Sequence, residues 1–473
     1  MENFYAPIVA AMKKYSADNV TPFHTPGHKH GRGAHEFLRE LLTEQGFRQE
    51  VSLMDELDDL HAPHGCIRDA QRLAAKLWHA DECLFIVNGT TAAIHAMILG
   101  ALNSGDKILI PRNAHRSVLA ALILSGAVPI FLPVEFDAEK FLPLNVTAET
   151  IERAIKIFPS AKAVLLVSPN YYGVAADVEK ISAIVHAAGM LLLVDEAHGA
   201  HLQFSDELPS SAMDSGADAA AQSTHKILGS LTQTSMLMLR RGRLDIERVK
   251  RAAGFLQTTS PNQLLLASLD AARLQMEIDG RRLIRRAVEL SKILRSAVKN
   301  LRGLKTFDAV KNFSLDPTKV TVNVSEIGFT GAEAEEILRR KFRVQCELSD
   351  AANLLFLVTF ADDDTTIAKL IDALKNLPRR PPKFFPPPIL PTEIFSTTLS
   401  PRKTFAAPTE TVPLKKSAGR ICAEEVTFYP PGIPLIMPGE KISASLVEIL
   451  AHEKFSHVVG ANDPTLSTIK VVR

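Results

Sequence analysis

Short apolar runs alternate with segments of helical periodicity through about the first 200 residues. Uninterrupted apolar runs at 83–87, 107–110, 163–167 and 190–194 predict strands. Residues 69–79 and 90–102 instead repeat apolar side chains at the spacing of a helix face. Continuous apolar strands that alternate with helices predict an α/β fold, with a mainly parallel sheet covered by helices on both faces.

The pattern changes twice further along the chain. After about residue 265 it predicts one long charged helix and then a smaller α/β unit, with strands near 320–324 and 354–359. Seven prolines between Leu377 and Pro391 predict a stiff, extended connector. The resulting domain plan is an N-terminal arm (1–68), a large domain (69–290), a small α/β domain (291–377), a proline-rich linker (378–391) and a C-terminal domain (392–473).

Composition narrows the class of protein. The 473 residues are 46% apolar and 23% charged, and their formal net charge of +1 gives no argument for nucleic acid or a membrane surface as partner. The N-terminus lacks the pattern of a signal peptide, and no uncharged apolar stretch is long enough for a spanning helix. The four cysteines form no C-x-x-C pair, so we expect reduced thiols in a cytoplasmic protein.

An aspartate closes the run at 190–194, and a lysine follows 31 positions later in Ser223-Thr224-His225-Lys226. Enzymes that use pyridoxal phosphate (PLP) need this pair, because the lysine forms a Schiff base with the cofactor aldehyde. Asp195 would pair with the pyridinium nitrogen and keep it protonated, which makes the ring an electron sink. The alternatives are a structural carboxylate and a solvated surface lysine.

A second motif, Val87-Asn88-Gly89-Thr90-Thr91, joins a strand to a helix start. Gly89 permits a tight turn, and free N–H groups with the hydroxyls of Thr90 and Thr91 would face an anion there. The pattern predicts a phosphate cradle, although an ordinary threonine cap would look the same. No dinucleotide or P-loop glycine motif is present in the sequence.

Several further side chains are candidates for the same site. His115, after the strand at 107–110, could stack on a cofactor ring or be an ordinary loop histidine, and Ala197 is small enough to pack on the opposite ring face. Ser223 and His225 could reach the phosphate, and we expect His198 to contact the cofactor as well. Histidines 24, 28, 30, 35, 61 and 64, and the pair His198 and His201, suggest a metal site, but matching ligands are missing, so we expect no metal.

Four motifs in order resemble the ornithine/lysine/arginine decarboxylase family of fold-type-I PLP enzymes. They are residues 25–29 (Thr-Pro-Gly-His-Lys), 57–67 around Leu-Asp-Asp-Leu-His-Ala-Pro, 223–226, and 429–434 with 438–440. The resemblance spans nearly the whole chain. It implies a PLP-dependent transferase-like fold with a large domain, a smaller α/β domain and a C-terminal domain.

The resemblance also implies roles. Lys226 would bind the cofactor covalently, Asp195 would hold the ring nitrogen, and His115 would stack. Thr90, Thr91, Ser223 and His225 would hold the phosphate. Family members are homodimers or larger homo-oligomers with sites at subunit interfaces, so Thr259 or Ser260 would reach the neighbour's phosphate.

The chain begins almost directly at the arm, without the wing of the inducible enterobacterial members, and this short form is most often an arginine decarboxylase. We therefore expect arginine to be converted into agmatine and CO2, a step of polyamine biosynthesis, with lysine or ornithine as alternative substrates. A non-catalytic PLP-fold regulator and an aminotransferase are the rival functions. Glu440, on the Pro438-Gly439-Glu440 turn, is the candidate for the substrate's basic tail; a solvated turn carboxylate is its alternative.

Overall fold

The computed structural model describes residues 5–428, 432–452 and 458–473, without the side chain of His452. The chain forms two compact units, each built from separate stretches of sequence. The first comprises the residues up to Ala101, with Val194–Asp206 and Ser210–Leu283, and the second comprises Leu102–Leu193, Glu207–Pro209 and Ile284–Arg473. The two units share the range 69–290 between them, and the predicted domain plan stays a prediction.

The first unit contains part of a β-sheet. Its strands, in spatial order, are Glu82–Ile86, Ser235–Leu239, Ala219–Gln222 and the end of Leu191–Asp195. Ser235–Leu239 is antiparallel to both of its neighbours. The strand Leu191–Asp195 crosses the division, with residues 194 and 195 in the first unit.

The helices of the first unit are Pro7–Ala17, Glu36–Leu41, Glu44–Gln49, Cys66–Leu77, Gly89–Ala101, Thr224–Ile227, Ile246–Leu256 and most of the 37-residue helix Gln263–Lys299. Cys66–Leu77 shows why such segments are helical. Its buried residues Ile67, Ala70, Gln71, Ala74 and Ala75 repeat at the spacing of one helix face.

Asp58, from the second family motif, caps the start of Cys66–Leu77. Its carboxylate is buried and accepts backbone N–H groups of His64 at 2.9 Å, Gly65 at 2.8 Å and Ile67 at 3.0 Å. Burial opposes ionisation, but these hydrogen bonds outweigh it and lower the pKa of Asp58. The motif therefore has a local structural role as a helix cap.

The second unit holds the parallel strands. Residues 191–193, Ala163–Val167, Lys107–Pro111, Val128–Leu132 and Phe395–Ser396 follow one another in the sheet. Lys107–Pro111 pairs in parallel with Val128–Leu132 and with Ala163–Val167, whereas the edge strand Phe395–Ser396 is antiparallel. Nearly all residues of these parallel strands are buried, as continuous apolar runs predict.

Smaller sheets complete the second unit. The strands are Phe136–Asp137 with Leu142–Pro143, Val174–Ala175 with Ser314–Leu315, Lys319–Asn323 with Asn353–Leu357 and Leu348–Ser349, Thr409–Pro413 with Thr468–Val472, and Ile433–Ile436 with Val426–Phe428 and Val458–Val459. The α-helices are Arg116–Ser125, Ala148–Ile157, Val178–Ala187, Gly331–Ile337, Asp364–Lys375, Pro401–Ala406 and Ala444–His452. Residues 376–394 form neither helix nor strand, as the proline-rich connector predicts.

The predicted strands and helices lie within about three residues of the observed ends. The predicted helix at 90–102 is Gly89–Ala101, and the predicted strand at 190–194 is Leu191–Asp195. Across the described parts of the chain, every helix is either too short or too polar to cross a bilayer.

Candidate active site

Lys226 lies in a short helix directly after the strand Ala219–Gln222. Its Nζ is 2.9 Å from Nε2 of the buried His198, which follows the strand Leu191–Asp195. The backbone N–H of Lys226 also donates to the carbonyl of Ser223 at 3.1 Å, which fixes the turn. The structure thus brings the two predicted motifs together, with a lysine amine beside an imidazole that can exchange a proton with it.

Asp195 ends its strand in the same unit and is 3% exposed. Burial raises the pKa of Asp195 to about 6, while an N–H from Ala197, 3.2 Å from Oδ1, and the charge of Lys226 oppose the rise. A buried carboxylate with so few donors is poorly stabilised in its charged form. A cation placed against it would lower this pKa, as a pyridinium nitrogen does.

Glu196 is a buried acid that the sequence analysis missed. Its carboxylate accepts the N–H of Ala212 at 2.7 Å and Nε2 of Gln222 at 2.7 Å, and burial raises its pKa to about 8. Its backbone N–H donates to Ala221 at 3.0 Å. These contacts fix the position of the residue that directly follows Asp195. The adjacent Asp-Glu pair in the sequence was the only signal for it.

Three buried hydroxyls meet beside the Gly89 turn. Thr90 Oγ1 is hydrogen-bonded to Ser223 Oγ and lies 2.9 Å from Ser235 Oγ, which itself donates to the Gln222 carbonyl at 2.7 Å. Thr90 and Ser223, both predicted phosphate ligands, therefore lie together. Ser235 was not predicted, because its sequence neighbours give it no distinguishing mark.

Two glutamines hold the Gly89 turn in place. Gln257 Oε1 accepts the N–H of Val87 at 2.9 Å, and the Gln233 carbonyl accepts the N–H of Gly89 at 2.9 Å. Gly89 has a φ of +75°, which favours glycine. Within the described residues, a Cβ at this position would meet no atom within 4 Å apart from those of its chain neighbours and its own helix. The turn at the start of the helix Gly89–Ala101 therefore has open space beside it.

The remaining predicted residues of the first unit differ in burial and in their hydrogen bonds. His225 Nδ1 lies 2.7 Å from the Thr234 carbonyl, so Nδ1 carries the proton and donates. Ala197 is half-buried, whereas Thr91 and Ser260 are exposed. The N–H of Ser260 donates to Thr258 Oγ1 at 3.1 Å. The phosphate roles of Thr91, His225 and Ser260 stay predictions.

His115 belongs to the second unit and caps the helix Arg116–Ser125. Its Nδ1 accepts the backbone N–H of Ser117 at 3.2 Å and lies 2.8 Å from Ser117 Oγ. Because Nδ1 accepts a hydrogen bond, the neutral ring carries its proton on Nε2. The imidazole is exposed. Its predicted stacking on the cofactor ring stays a prediction.

The structure changes the picture for Glu440, which is 3% exposed and so is not a solvated turn residue. Its Oε1 accepts Arg112 Nη2 at 2.7 Å, and its Oε2 accepts Arg112 Nη1 at 3.3 Å and the Met437 N–H at 2.9 Å. Burial raises the pKa of Glu440, against the opposing charge of Arg112. Both oxygens are engaged inside the second unit, so the carboxylate is not displayed for a substrate tail as we had expected.

The histidine-rich arm forms local hydrogen bonds. His24 Nε2 lies 2.9 Å from the Tyr15 hydroxyl, and His28 Nε2 lies 2.8 Å from Glu50 Oε2. Among the residues that the structure describes, no three or more His, Cys, Asp or Glu side chains are placed to hold a metal ion. Of the C-terminal signature, Tyr429, Pro430 and Pro431 lie outside the described residues.

The chemistry of the first-unit cluster fits pyridoxal phosphate. Lys226 supplies the amine for its aldehyde, and Asp195 supplies a buried carboxylate with one backbone donor, which a cation would stabilise. The open space beside Gly89 and the hydroxyls of Thr90 and Ser223 supply a site for an anion at a helix start. Each of the three polar parts of the cofactor thus has a chemically matched group.

Comparison with known proteins identifies the family. The family model described as Orn/Lys/Arg decarboxylase, major domain, matches residues 6–313, and the model of the C-terminal domain of the same family matches residues 389–464. The chain belongs to this family. The decarboxylase is 39% identical to an arginine decarboxylase of Bacillus anthracis, with 100% of this chain and 98% of the relative covered.

Two lysine decarboxylases are more distant. The inducible lysine decarboxylase of Escherichia coli K12 is 24% identical, with 98% of this chain and 78% of the relative covered. The crystal structure of the Francisella novicida lysine decarboxylase LdcF has a TM-score of 0.85 at 21% identity, covering 100% of this chain and 82% of that chain. The predicted fold class is confirmed, and so are the assignments as an amino-acid decarboxylase and as a PLP enzyme.

Proposed function

We propose that this decarboxylase converts L-arginine into agmatine and CO2. The observation that carries the reaction type is the cluster of Lys226, His198 and Asp195 inside a family of basic amino-acid decarboxylases. Arginine is favoured over lysine because the full-length relative named arginine decarboxylase is 39% identical, against 24% for the lysine decarboxylase. Lysine is the second candidate substrate.

The chain's own residues divide the work. Lys226 would hold the cofactor through Nζ, and His198 Nε2, 2.9 Å away, would accept the proton that the ammonium form must lose before it can act as a nucleophile. The bound cofactor supplies an electron sink for the electron pair of the Cα–carboxylate bond. Asp195 sustains this sink by stabilising positive charge at the ring nitrogen.

The proton balance requires one donor. Loss of CO2 leaves an electron pair at Cα, and a proton must be added there to give the amine. Lys226 and His225 are the candidate donors. The Thr234 carbonyl holds the His225 ring through Nδ1, which leaves Nε2 as the atom that would exchange the proton.

Phosphate binding is assigned to the Gly89 turn with Thr90, Thr91, Ser223 and His225. His115 would stack on the ring and Ser260 would reach the phosphate of a neighbouring subunit. A homodimer or larger homo-oligomer is supported by exposed apolar side chains in the arm, since Phe23 is 93%, Phe37 67% and Leu41 79% exposed. A cytoplasmic location completes the proposal.

The test of the reaction is product analysis. The PLP-loaded protein is incubated separately with arginine, lysine and ornithine, without a keto acid, and CO2 and the amine products are measured. We expect agmatine and CO2 from arginine, with less cadaverine from lysine. If cadaverine is the main product, the preferred substrate is lysine and not arginine. If the protein carries its full complement of cofactor but releases no CO2 from any of the three amino acids, the non-catalytic regulator is favoured. Turnover that depends on a keto acid would favour the aminotransferase.

Lys226→Ala tests the cofactor linkage. The variant should lose the visible absorbance of the lysine-bound cofactor, and its kcat should fall by about 10³-fold or more, because the covalent attachment is gone. Lys156→Ala, which removes a surface lysine paired with Glu152 outside the family motifs, is the control and should retain the absorbance band. Cofactor that borohydride still fixes to Lys226→Ala would place the linkage on another lysine.

A further inference from the structure

Arg112 occupies an unusual environment at the end of the strand Lys107–Pro111. Its side chain is 2% exposed, and its guanidinium carbon lies 4.9 Å from the ring centre of Phe131 and 4.8 Å from that of Phe395. Glu440 contacts the guanidinium through both carboxylate oxygens. Two aromatic rings and a two-point ion pair therefore fix both the position and the plane of this group.

The turn that carries Glu440 is itself tightly held. Gly439 has a φ of +93°, and a Cβ there would lie 2.0 Å from the Leu399 carbonyl oxygen, so the position requires glycine. The Gly439 carbonyl accepts the N–H groups of Thr398 at 2.9 Å and Leu399 at 3.1 Å, and the Glu440 carbonyl accepts that of Cys422 at 2.8 Å. The carboxylate of Glu440 is thus presented from a rigid support.

Two residues, Asn113 and Ala114, separate Arg112 from His115. The N–H of Arg112 donates to the Leu132 carbonyl at 3.0 Å, and the N–H of Ala114 donates to the Pro111 carbonyl at 3.0 Å, which closes a turn. His115 then caps the next helix through Ser117. Arg112 and His115 therefore lie close together along a short, hydrogen-bonded turn.

We propose that Glu440 is a positioning residue that acts through Arg112 to hold the His115 turn in its working orientation. The C-terminal Pro-Gly-Glu turn is then part of the active-site scaffold, and it does not recognise the substrate. This inference rests on the proposed function for the role of His115, but the contacts from Glu440 to the turn stand independently of it.

Glu440→Gln separates this role from substrate binding. The amide keeps the shape but removes the charge and one acceptor of the two-point contact. We expect kcat for arginine to fall about 10-fold to 100-fold, because His115 is displaced from its productive position, with KM changed less than about 3-fold. The visible circular dichroism of the bound cofactor should also change, since it reports the surroundings of the ring.

Hydrogen–deuterium exchange of the same variant reports on the turn directly. In cofactor-free and loaded protein alike, peptides covering residues 112–118 should exchange at least about 10-fold faster, whereas the parallel strand Ala163–Val167 should be unchanged. The matched control is Glu410→Gln, which removes a carboxylate from an exposed pair with Arg420 in the C-terminal region. It should leave kcat and exchange as in the parent.

The outcomes are distinct. A strong rise in KM at unchanged kcat would mean that Glu440 reads the substrate after all, and unchanged exchange, kcat and dichroism would also overturn the inference. If the parent releases no CO2, the proposed function fails, while the exchange experiment still decides whether Glu440 holds the turn. If Glu440→Gln does not fold, Arg112→Lys, which keeps the charge but loses the flat two-point contact, should show the same kcat loss and faster exchange. Parent values for that variant would equally overturn the inference.

Discussion

Two buried carboxylates in this decarboxylase differ in the groups that compensate their charge, although burial raises the pKa of both. Glu440, in the second unit, meets the guanidinium of Arg112 through both oxygens. Asp195, in the first unit, is equally buried, and the backbone N–H of Ala197 and then the charge of Lys226 compensate its charge only in part. Both oxygens of Glu440 thus have partners within the protein, whereas the Asp195 carboxylate can still bind a cation from outside the chain.

The difference separates structural acids from functional acids. A carboxylate whose charge is fully matched by the protein fixes geometry and has little to offer a ligand. A buried carboxylate with few hydrogen-bond donors or cations around it is costly to ionise while its site is empty. A bound cation removes that free-energy cost. Burial alone does not distinguish the two, since both side chains are 3% exposed; the donors around them do.

The largest expected effect comes from removing one partner of the buried ion pair between Arg112 and Glu440. Glu440→Ala leaves Arg112 charged and buried between two aromatic rings, so we expect a loss of about 3–5 kcal/mol in stability. Chemical denaturation measures it as a shift of the unfolding midpoint. The double variant Arg112→Met with Glu440→Leu removes both charges and should recover most of the loss. A single variant as stable as the parent would mean that the pair contributes nothing.

Asp195→Asn tests whether the charge of this buried carboxylate is needed for catalysis by the PLP-loaded enzyme. The amide keeps the shape but no longer favours a protonated ring nitrogen, so kcat should fall by about 10²-fold or more, equivalent to about 3 kcal/mol or more of transition-state stabilisation. Steady-state kinetics with arginine measures it. Asp214→Asn, at a half-exposed carboxylate paired with His79, is the control and should stay within a few-fold of the parent. A similar value for Asp195→Asn would make Asp195 structural.

The pH dependence of stability sharpens the comparison further. The pKa of Asp195 is raised from 3.8 to about 6, so the folded, cofactor-free protein binds more protons than the unfolded chain between these values. Its stability relative to Asp195→Asn should therefore fall as the pH rises from about 4 to about 6, by up to about 3 kcal/mol, and stay constant above.

Denaturation midpoints of both proteins across this pH range give the difference directly and cancel the contributions of other groups, Glu196 included. Added cofactor should flatten the curve, because a ring cation stabilises the charged carboxylate. Parallel curves for parent and variant would show that Asp195 has an ordinary pKa in the empty site.

Local sequence carried much of this picture. Continuous apolar runs located four strands of the main sheet, because a strand buried on both faces has no place for a polar residue. Asp195 and Lys226 could be paired from sequence because Asp195 ends such a strand, Lys226 follows 31 positions later in a Ser-Thr-His-Lys motif, and the chemistry requires both. Gly89 and the P-G-E turn were likewise visible, since positive φ angles and close backbone contacts restrict those positions to glycine.

Only the tertiary structure decided the partners. Arg112 and Glu440 are 328 positions apart, and Thr90 and Ser235 are 145 apart, so no local pattern marks either pair. Sequence showed an acidic residue on a signature turn and suggested a substrate contact; packing buried that acid against an arginine instead. The residue types and their order fix which chemistry is available, but whether a charge is matched or left open depends on which distant side chains the fold brings within about 3 Å of it.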